Sequence, residues 1–206
     1  MNSVKPEGTS SQWYLDKWFT SDLQFHHLYP TAIKALASRH WTPLAVARKA
    51  ADFLAAEKNV RVLDIGSGAG KFCLGAAYYK PDSFFFGIEQ RKDLVADAET
   101  ARKILDLPNV SFTHGNFTQL NLKQYDHFYF YNSFYENLVG TDKIDDTVTY
   151  SGELYNYYSN ALFRQLEKMP SGTRVATFHS LENEMPPVFH VVGSDMEETL
   201  KYWIKE

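Results

Sequence analysis

The chain has 206 residues, 44% of them hydrophobic and 22% charged, enough to bury a full core and unlike the composition of a disordered chain. A formal net charge of -4 excludes a global basic field of the kind that draws proteins to nucleic acid or anionic membranes. Its one cysteine, Cys73, excludes an internal disulfide, and no apolar run reaches the length of a membrane span.

Residues 1–10 are polar and rich in Ser, Gly and Pro, and read as a frayed tail without the apolar core of a signal peptide. The expectation is a reducing, cytoplasmic setting. Ser10 or Ser11 is placed to cap a helix carrying Trp13, Leu15, Trp18, Phe19 and Leu23, broken at Tyr29-Pro30, with a second short helix around 31–38. Thr42-Pro43 is a stronger start, a capping hydroxyl followed by proline in the first turn, and Leu44, Ala47, Ala51 and Leu54 then mark one face of a helix ending near 57–59. Strand-like runs follow at 60–65, 83–88, 110–113, 126–131 and 174–178, alternating with helical runs at 71–79, 91–105 and 152–169, the last capped by Ser151. This alternation predicts a mostly parallel sheet covered on both faces. Cys73 falls among the apolar positions of the 71–79 helix and reads as a buried small residue. At the C-terminus, 188–192 and 199–204 read as an antiparallel hairpin turning at 193–196, and Pro186-Pro187 excludes a regular helix between the fifth strand and that hairpin.

The most informative stretch is Val62-Leu63-Asp64-Ile65-Gly66-Ser67-Gly68-Ala69-Gly70. A strand that stops at alternating glycines and feeds a helix at Lys71 brings bare backbone N–H groups to a ligand, because no Cβ blocks the approach. A nucleotide-like ligand is favoured at the helix N-terminus behind it. Phe86-Gly87-Ile88-Glu89 ends the next strand in an acid whose two oxygens suit two parallel hydroxyl donors.

These motifs, with the terminal hairpin, resemble the class I S-adenosylmethionine (SAM)-dependent methyltransferases over about residues 42–206. The resemblance implies an α/β, Rossmann-like methyltransferase fold whose central sheet is mostly parallel, with an N-terminal helical extension over residues 1–41. It implies that Gly66, Ser67, Gly68 and Gly70 form the loop under the methionine moiety of SAM, that Asp64 orders this loop and reaches the amino group, and that Glu89 accepts both ribose hydroxyls. His114-Gly115-Asn116-Phe117 lies where the family usually carries an acid that reads the adenine amino group, so Asn116 and Phe117 are expected at the adenine. Tyr131-Asn132-Ser133-Phe134-Tyr135-Glu136-Asn137 occupies the acceptor-site position. It resembles both the Asn-Pro-Pro-Tyr motif of amino-methyltransferases, without its prolines, and the Asn-Asn-Phe motif of non-SET lysine methyltransferases.

The implied reaction needs proximity, alignment and an unprotonated acceptor rather than an activated donor, since the sulfonium is already activated. Asn132, Tyr135 and Glu136 are the candidate catalytic residues, with His179 a further candidate acid or base, and aromatic faces at Tyr131 and Phe134 suit a cationic sulfur. The acceptor stays open between a protein amine, a nucleobase and a small molecule, with nitrogen favoured. Asp142, Asp145 and Asp146 form an acidic loop beside the motif, and Lys34, Arg39, Arg48 and Lys49 do not amount to an RNA-binding patch. His26, His27 and His40 lack zinc-type spacing, so no metal is expected. A monomer or homodimer is expected. Two other readings remain at this point: a SAM-binding sensor or partner subunit without chemistry, and an NAD-dependent oxidoreductase.

Overall fold

A computed structural model of the protein describes residues 9–180 and 182–206. Seven strands, β1 (Arg61–Ile65), β2 (Phe84–Glu89), β3 (Val110–His114), β4 (His127–Tyr131), β5 (Arg174–Phe178), β6 (Phe189–Asp195) and β7 (Leu200–Lys205), form one sheet in the order β3-β2-β1-β4-β5-β7-β6. The first five run parallel and β7 pairs antiparallel with both β5 and β6. Parallel strands covered on both faces carry near-continuous apolar runs, and four of the five residues of β1 are buried.

The helices are α1 (Thr9–Asp16), α2 (Asp22–His26), α3 (Thr31–Lys34), α4 (Ala37–His40), α5 (Leu44–Leu54), α6 (Lys71–Tyr79), α7 (Lys92–Leu105) and α8 (Gly152–Glu167). One face of the sheet is closed by α5, α6 and α7 in a core shared with Phe19, Phe25, Tyr29 and Trp41 of the N-terminal segment. The other face carries α8, whose Tyr158, Leu162 and Leu166 pack with Phe117, Phe130 and Phe134. Cys73 is buried on α6 as the pattern requires. Ser151 caps α8, its hydroxyl accepting from the Leu154 N–H at 3.1 Å.

The N-terminal segment departs from its sequence reading. Part of the expected frayed tail, residues 1–8, lies outside the described residues, and the chain is already helical at Thr9. The single helix expected to run to Tyr29 breaks earlier, because Ser21 is extended and accepts from the Gln24 N–H, starting α2 as a separate helix. Trp13 and Leu23, placed on the buried stripe by spacing, are exposed in consequence. The second short helix is divided into α3 and α4.

Thr42 does not cap α5. Its hydroxyl pairs with the Tyr129 hydroxyl at 2.9 Å, and the free N–H of Leu44 is taken by Asp22 Oδ1 at 3.0 Å, so α2 supplies the cap from a distance. At the other end of the chain the hairpin forms, but its turn lies at Met196–Glu198, three consecutive residues with positive φ, because β6 continues through a bulge at Val191–Gly193. The connection from β5 holds one turn of 3-10 helix, Glu182–Glu184, among its described residues, and no crossover helix. No described helix is long and apolar enough to cross a membrane.

Candidate active site

Ligands of open α/β sheets sit beyond the carboxyl ends of the strands where the strand order reverses, here between β1 and β4. A cleft of about 530 Å³ opens at that point, lined by residues that follow β1, β2, β3, β4 and β5. Its floor is the glycine loop. The N–H groups of Gly66 and Ser67 both donate to the Ile88 carbonyl at 3.0 Å, which folds the loop back over β2. Gly66 has φ of +77°, and a Cβ there would collide with the Ser133 side chain, whose hydroxyl donates to the Ile65 carbonyl at 2.6 Å. Gly68 differs: its φ is +52° and a Cβ would meet nothing within 4 Å, so this glycine presents an open face to the cleft. Gly70 lies behind the loop as the N-cap of α6, against Phe112 and Ala98, and does not line the cleft.

Glu89 leaves the end of β2 almost fully buried. Its Oε2 accepts from the Gly68 N–H at 3.1 Å and its Oε1 from the Arg91 N–H at 2.9 Å. A carboxylate oxygen has two acceptor sites, so each oxygen keeps one for a ligand hydroxyl. Arg91, which the sequence did not single out, is the hub of the adjoining wall. Its guanidinium donates to Glu136 at 2.5 Å, Tyr150 at 2.6 Å and Asp145 at 3.2 Å, and lies 3.5 Å from Glu89. Burial opposes its charge, but the surrounding Glu136 and Glu89 outweigh this and hold the guanidinium charged. The arrangement ties the acidic segment 136–150 across the cleft.

The loop after β4 begins at Asn132, with φ of +48°, a left-handed conformation that Asn tolerates better than bulkier residues. Its Oδ1 is buried and has no hydrogen-bond partner among the described residues. A buried orphan acceptor costs free energy unless something fills it, which marks Asn132 as a place for a ligand N–H. Tyr131, Phe134, Tyr135, His40 and His179 surround it in the lining. His179 also has positive φ, 55°, and its ring packs 4.2 Å from Phe178. Glu136 lines the cleft, and its Oε2 accepts from Arg91, Tyr150 and the Ile144 N–H, which joins it to the wall.

A smaller cavity of about 40 Å³ adjoins the loop beneath the N-terminal segment, lined by Asp64, Ser67, Lys71, Trp41, Thr42 and Tyr131 among others. Burial pushes the Asp64 carboxyl up to about 8, and the nearby Glu89 charge adds to the rise; a 3.7 Å contact from the Cys73 thiol is its hydrogen bond here. The N-terminal segment braces this side, with the Tyr29 hydroxyl donating to the Ala69 carbonyl at 2.8 Å.

Of the sequence candidates, the cleft gathers Gly66, Gly68, Glu89, Phe117, Asn132, Tyr135 and Glu136, while Asp64 and Ser67 face the smaller cavity. Asn116 stands apart from the lining. Its Oδ1 accepts from the N–H and hydroxyl of Thr118, its amide donates to Tyr158 at 3.2 Å, and Gly115 and Phe117 form the wall instead. No group of three or more metal-ligating side chains is found among the described residues.

A family model described as a methyltransferase domain matches residues 56–168, more than half of the chain. The chain belongs to this methyltransferase-domain family. It is a member of the class I SAM-dependent methyltransferases, whose cofactor is SAM. Over 54 residues the chain is 46% identical to a tRNA (guanine-N(7)-)-methyltransferase of Microcystis aeruginosa, a match covering 26% of each chain. Over 66 residues it is 39% identical to a release factor glutamine methyltransferase of Buchnera aphidicola, covering 32% of this chain and 24% of that one. These matches span about a quarter of the length of the curated relatives. Two solved structures share the fold. An RNA methyltransferase from Salinibacter ruber, in complex with S-adenosylhomocysteine, has 21% identity and a TM-score of 0.55 over 80% of this chain and 93% of that one. A magnesium protoporphyrin IX methyltransferase from Synechocystis, with SAM bound, has 13% identity and a TM-score of 0.58 over 100% of both.

The residues of the cleft fit this cofactor on structural grounds. The open face at Gly68, the spare acceptor positions of Glu89 and the buried, unpartnered hydroxyl of Ser67 all lie along the glycine loop.

Proposed function

We propose that the protein is an enzyme that moves the methyl group of SAM to a planar nitrogen bearing hydrogen, such as a side-chain amide or an exocyclic amino group of a nucleobase. The observation that carries this reading is the orphan Oδ1 of Asn132 at the carboxyl end of β4, beside the glycine loop. An acceptor oxygen held there takes an N–H and turns the nitrogen lone pair away from it, toward the cofactor side of the cleft. A guanine ring N7 carries no hydrogen to give, whereas a glutamine amide does, so the donor requirement of Asn132 distinguishes between the chemistries named for the two kinds of relative. The bound cofactor supplies an electrophilic methyl group on a sulfonium.

In this reading Glu89 accepts the ribose hydroxyls, Gly66 and Gly68 bring backbone close to the cofactor, and Phe117 with Gly115 forms the adenine wall. Tyr131, Phe134 and Tyr135 exclude water and present aromatic faces to positive charge. Glu136 acts as a positioning residue through Arg91. A cytoplasmic setting belongs to the same reading, resting on the single buried thiol of Cys73.

The test has two arms. Calorimetry with SAM, S-adenosylhomocysteine and NAD is expected to show binding of the first two alone. Incubation with SAM labelled on its methyl group and a cell lysate, then separated into protein, RNA, DNA and small molecules, is expected to place acid-stable label on nitrogen. Binding of NAD in place of SAM overturns the reading, and so does SAM binding without label in any fraction.

A further inference from the structure

Lys71 opens α6 directly behind the glycine loop and is 4% exposed, an unusual place for an ammonium group. Its Nζ forms an ion pair with Asp22 Oδ1 and lies 3.1 Å from His26 Nε2. Both partners come from α2, so the N-terminal segment holds this cation in place. Burial with the Lys71 charge beside it keeps the His26 imidazole toward its neutral form, able to accept from Lys71. An ammonium has three donors, and these two contacts use two of them.

The third donor has a place to go. Lys71 lines the small cavity together with Asp64, Ser67, Thr42 and Trp41, and its Nζ stands 5.6 Å from the centre of the Trp41 ring. In the same cavity, among the described residues, the Ser67 hydroxyl is buried without a hydrogen-bond partner, and buried Asp64 has the weak Cys73 thiol as its hydrogen-bond partner. One wall therefore offers a cation and a hydroxyl, and another a carboxylate short of positive charge. An ammonium with one donor left, facing a carboxyl that a neighbouring cation would ionise, is complementary to a small zwitterion. The methionine end of SAM is one, an ammonium and a carboxylate on a single carbon.

We propose that Lys71 is the carboxylate-binding residue for the methionine end of the cofactor, held in place by Asp22 and His26 of the N-terminal helices, with Asp64 facing the ammonium. The assignment rests on the SAM reading above. It makes the N-terminal segment part of the cofactor site, since α2 presents Lys71 while Asp22 also caps α5.

The test compares ligands rather than rates. Decarboxylated SAM keeps the adenosine, the sulfonium and the ammonium and lacks only the carboxylate. Calorimetry on the full chain is expected to give SAM an advantage of roughly 10- to 100-fold over decarboxylated SAM, the worth of one charge-assisted hydrogen bond. Lys71→Gln is expected to bring that ratio close to one by weakening SAM alone, and Lys71→Arg, which keeps the charge, to retain most of it. The double variant Asp22→Asn with Lys71→Gln removes both charges together, so that no uncompensated ion stays buried, and serves where the single variant does not fold. A purely structural Lys71 would weaken both ligands equally, and an unchanged ratio in either Gln variant overturns the assignment. Failure of the native chain to bind SAM at all removes the methyltransferase reading itself, a result separate from a ratio that ignores Lys71.

Discussion

Replacing Asn132 separates its backbone from its side chain, because the two have opposite demands. At φ of +48° an alanine carries a left-handed penalty of about 1–2 kcal/mol, whereas glycine carries none. Both substitutions remove the orphan Oδ1, and with it a buried unsatisfied acceptor whose cost is about 1–3 kcal/mol. The two terms offset each other in Asn132→Ala, so its stability is expected within about 1 kcal/mol of native, and Asn132→Gly is expected to be as stable or more so. Neither change touches a hydrogen bond to the glycine loop, so affinity for S-adenosylhomocysteine should hold within a few-fold. Turnover should fall by roughly 100-fold or more in both, since misplacing a reacting group by about an ångström costs that much. The assays are thermal unfolding, calorimetry with S-adenosylhomocysteine, and single-turnover transfer of labelled methyl into the lysate fraction that accepts it. If Asn132→Gly transfers methyl at the native rate, Asn132 is there only for its backbone and the acceptor side must be sought elsewhere. If affinity falls as far as turnover, the side chain belongs to the cofactor site.

Glu89→Gln keeps the shape of the side chain but halves its acceptor capacity, and is expected to weaken SAM binding about 10-fold by calorimetry, with Glu89→Ala approaching 100-fold. Arg91→Ala strips the cation from a group in which Glu89 and Glu136 are both nearly buried, a loss of about 3–5 kcal/mol that should lower the melting temperature by roughly 10 °C. Arg91→Met with Glu136→Gln should recover much of that stability, and a double variant no better than Arg91→Ala would mean that the ion pairs are not the source of the loss. Asp64 supplies a pH signature: its folded-state value of about 8 lies above the unfolded one, so the native state holds the extra proton. The stability this gives is complete below about pH 4 and is lost as pH rises toward 8, so the ligand-free protein should melt lower at pH 8 than at pH 6. A ligand ammonium beside Asp64 favours the carboxylate, so binding at pH 6–7 should release up to one proton, measured by calorimetry in buffers of different ionisation enthalpy. Asp64→Asn should abolish both effects.

The parts of this molecule legible in the sequence are those where local chemistry and global fold make the same demand. The glycine loop is one: Gly66 must avoid Ser133 and Gly68 must leave room, so both requirements are written as residue type within a few positions. The inner parallel strands β1, β2, β4 and β5 are another, because burial on both faces forces apolar runs. What the sequence hid depends on partners far along the chain. Asp22 capping α5 across 22 residues leaves no local mark, and it displaced Thr42, whose sequence context was a better capping signal. Arg91 reads as an ordinary charged residue until residues 136–150 fold back onto it. Asn116 shows the opposite case: it has the position of an adenine contact, and an Asn followed two residues later by a hydroxyl closes its own turn, so its Oδ1 is taken by Thr118.

The same asymmetry separates the two halves of the site. SAM presents fixed groups to any protein that binds it, so the loop and Glu89, in the cofactor role proposed for them, answer a chemistry that does not vary, and their pattern can be read without a structure. The acceptor is particular to each enzyme, and the side of the cleft proposed for it is lined by His40 of the N-terminal segment, Asn132 after β4 and His179 after β5, three positions that no short motif joins. Two of these, Asn132 and His179, are held at positive φ, so the backbone departs from its preferred regions on both strand exits that face the acceptor. Such conformations persist only where surrounding structure enforces them. Tyr131 and Phe178, the residues immediately before these two, pack with ring centres 4.8 Å apart at the ends of β4 and β5. The proposed acceptor side thus combines positive-φ backbone with residues brought together from distant segments, which is why they carry no motif of their own and why substitutions there must be judged against glycine as well as alanine.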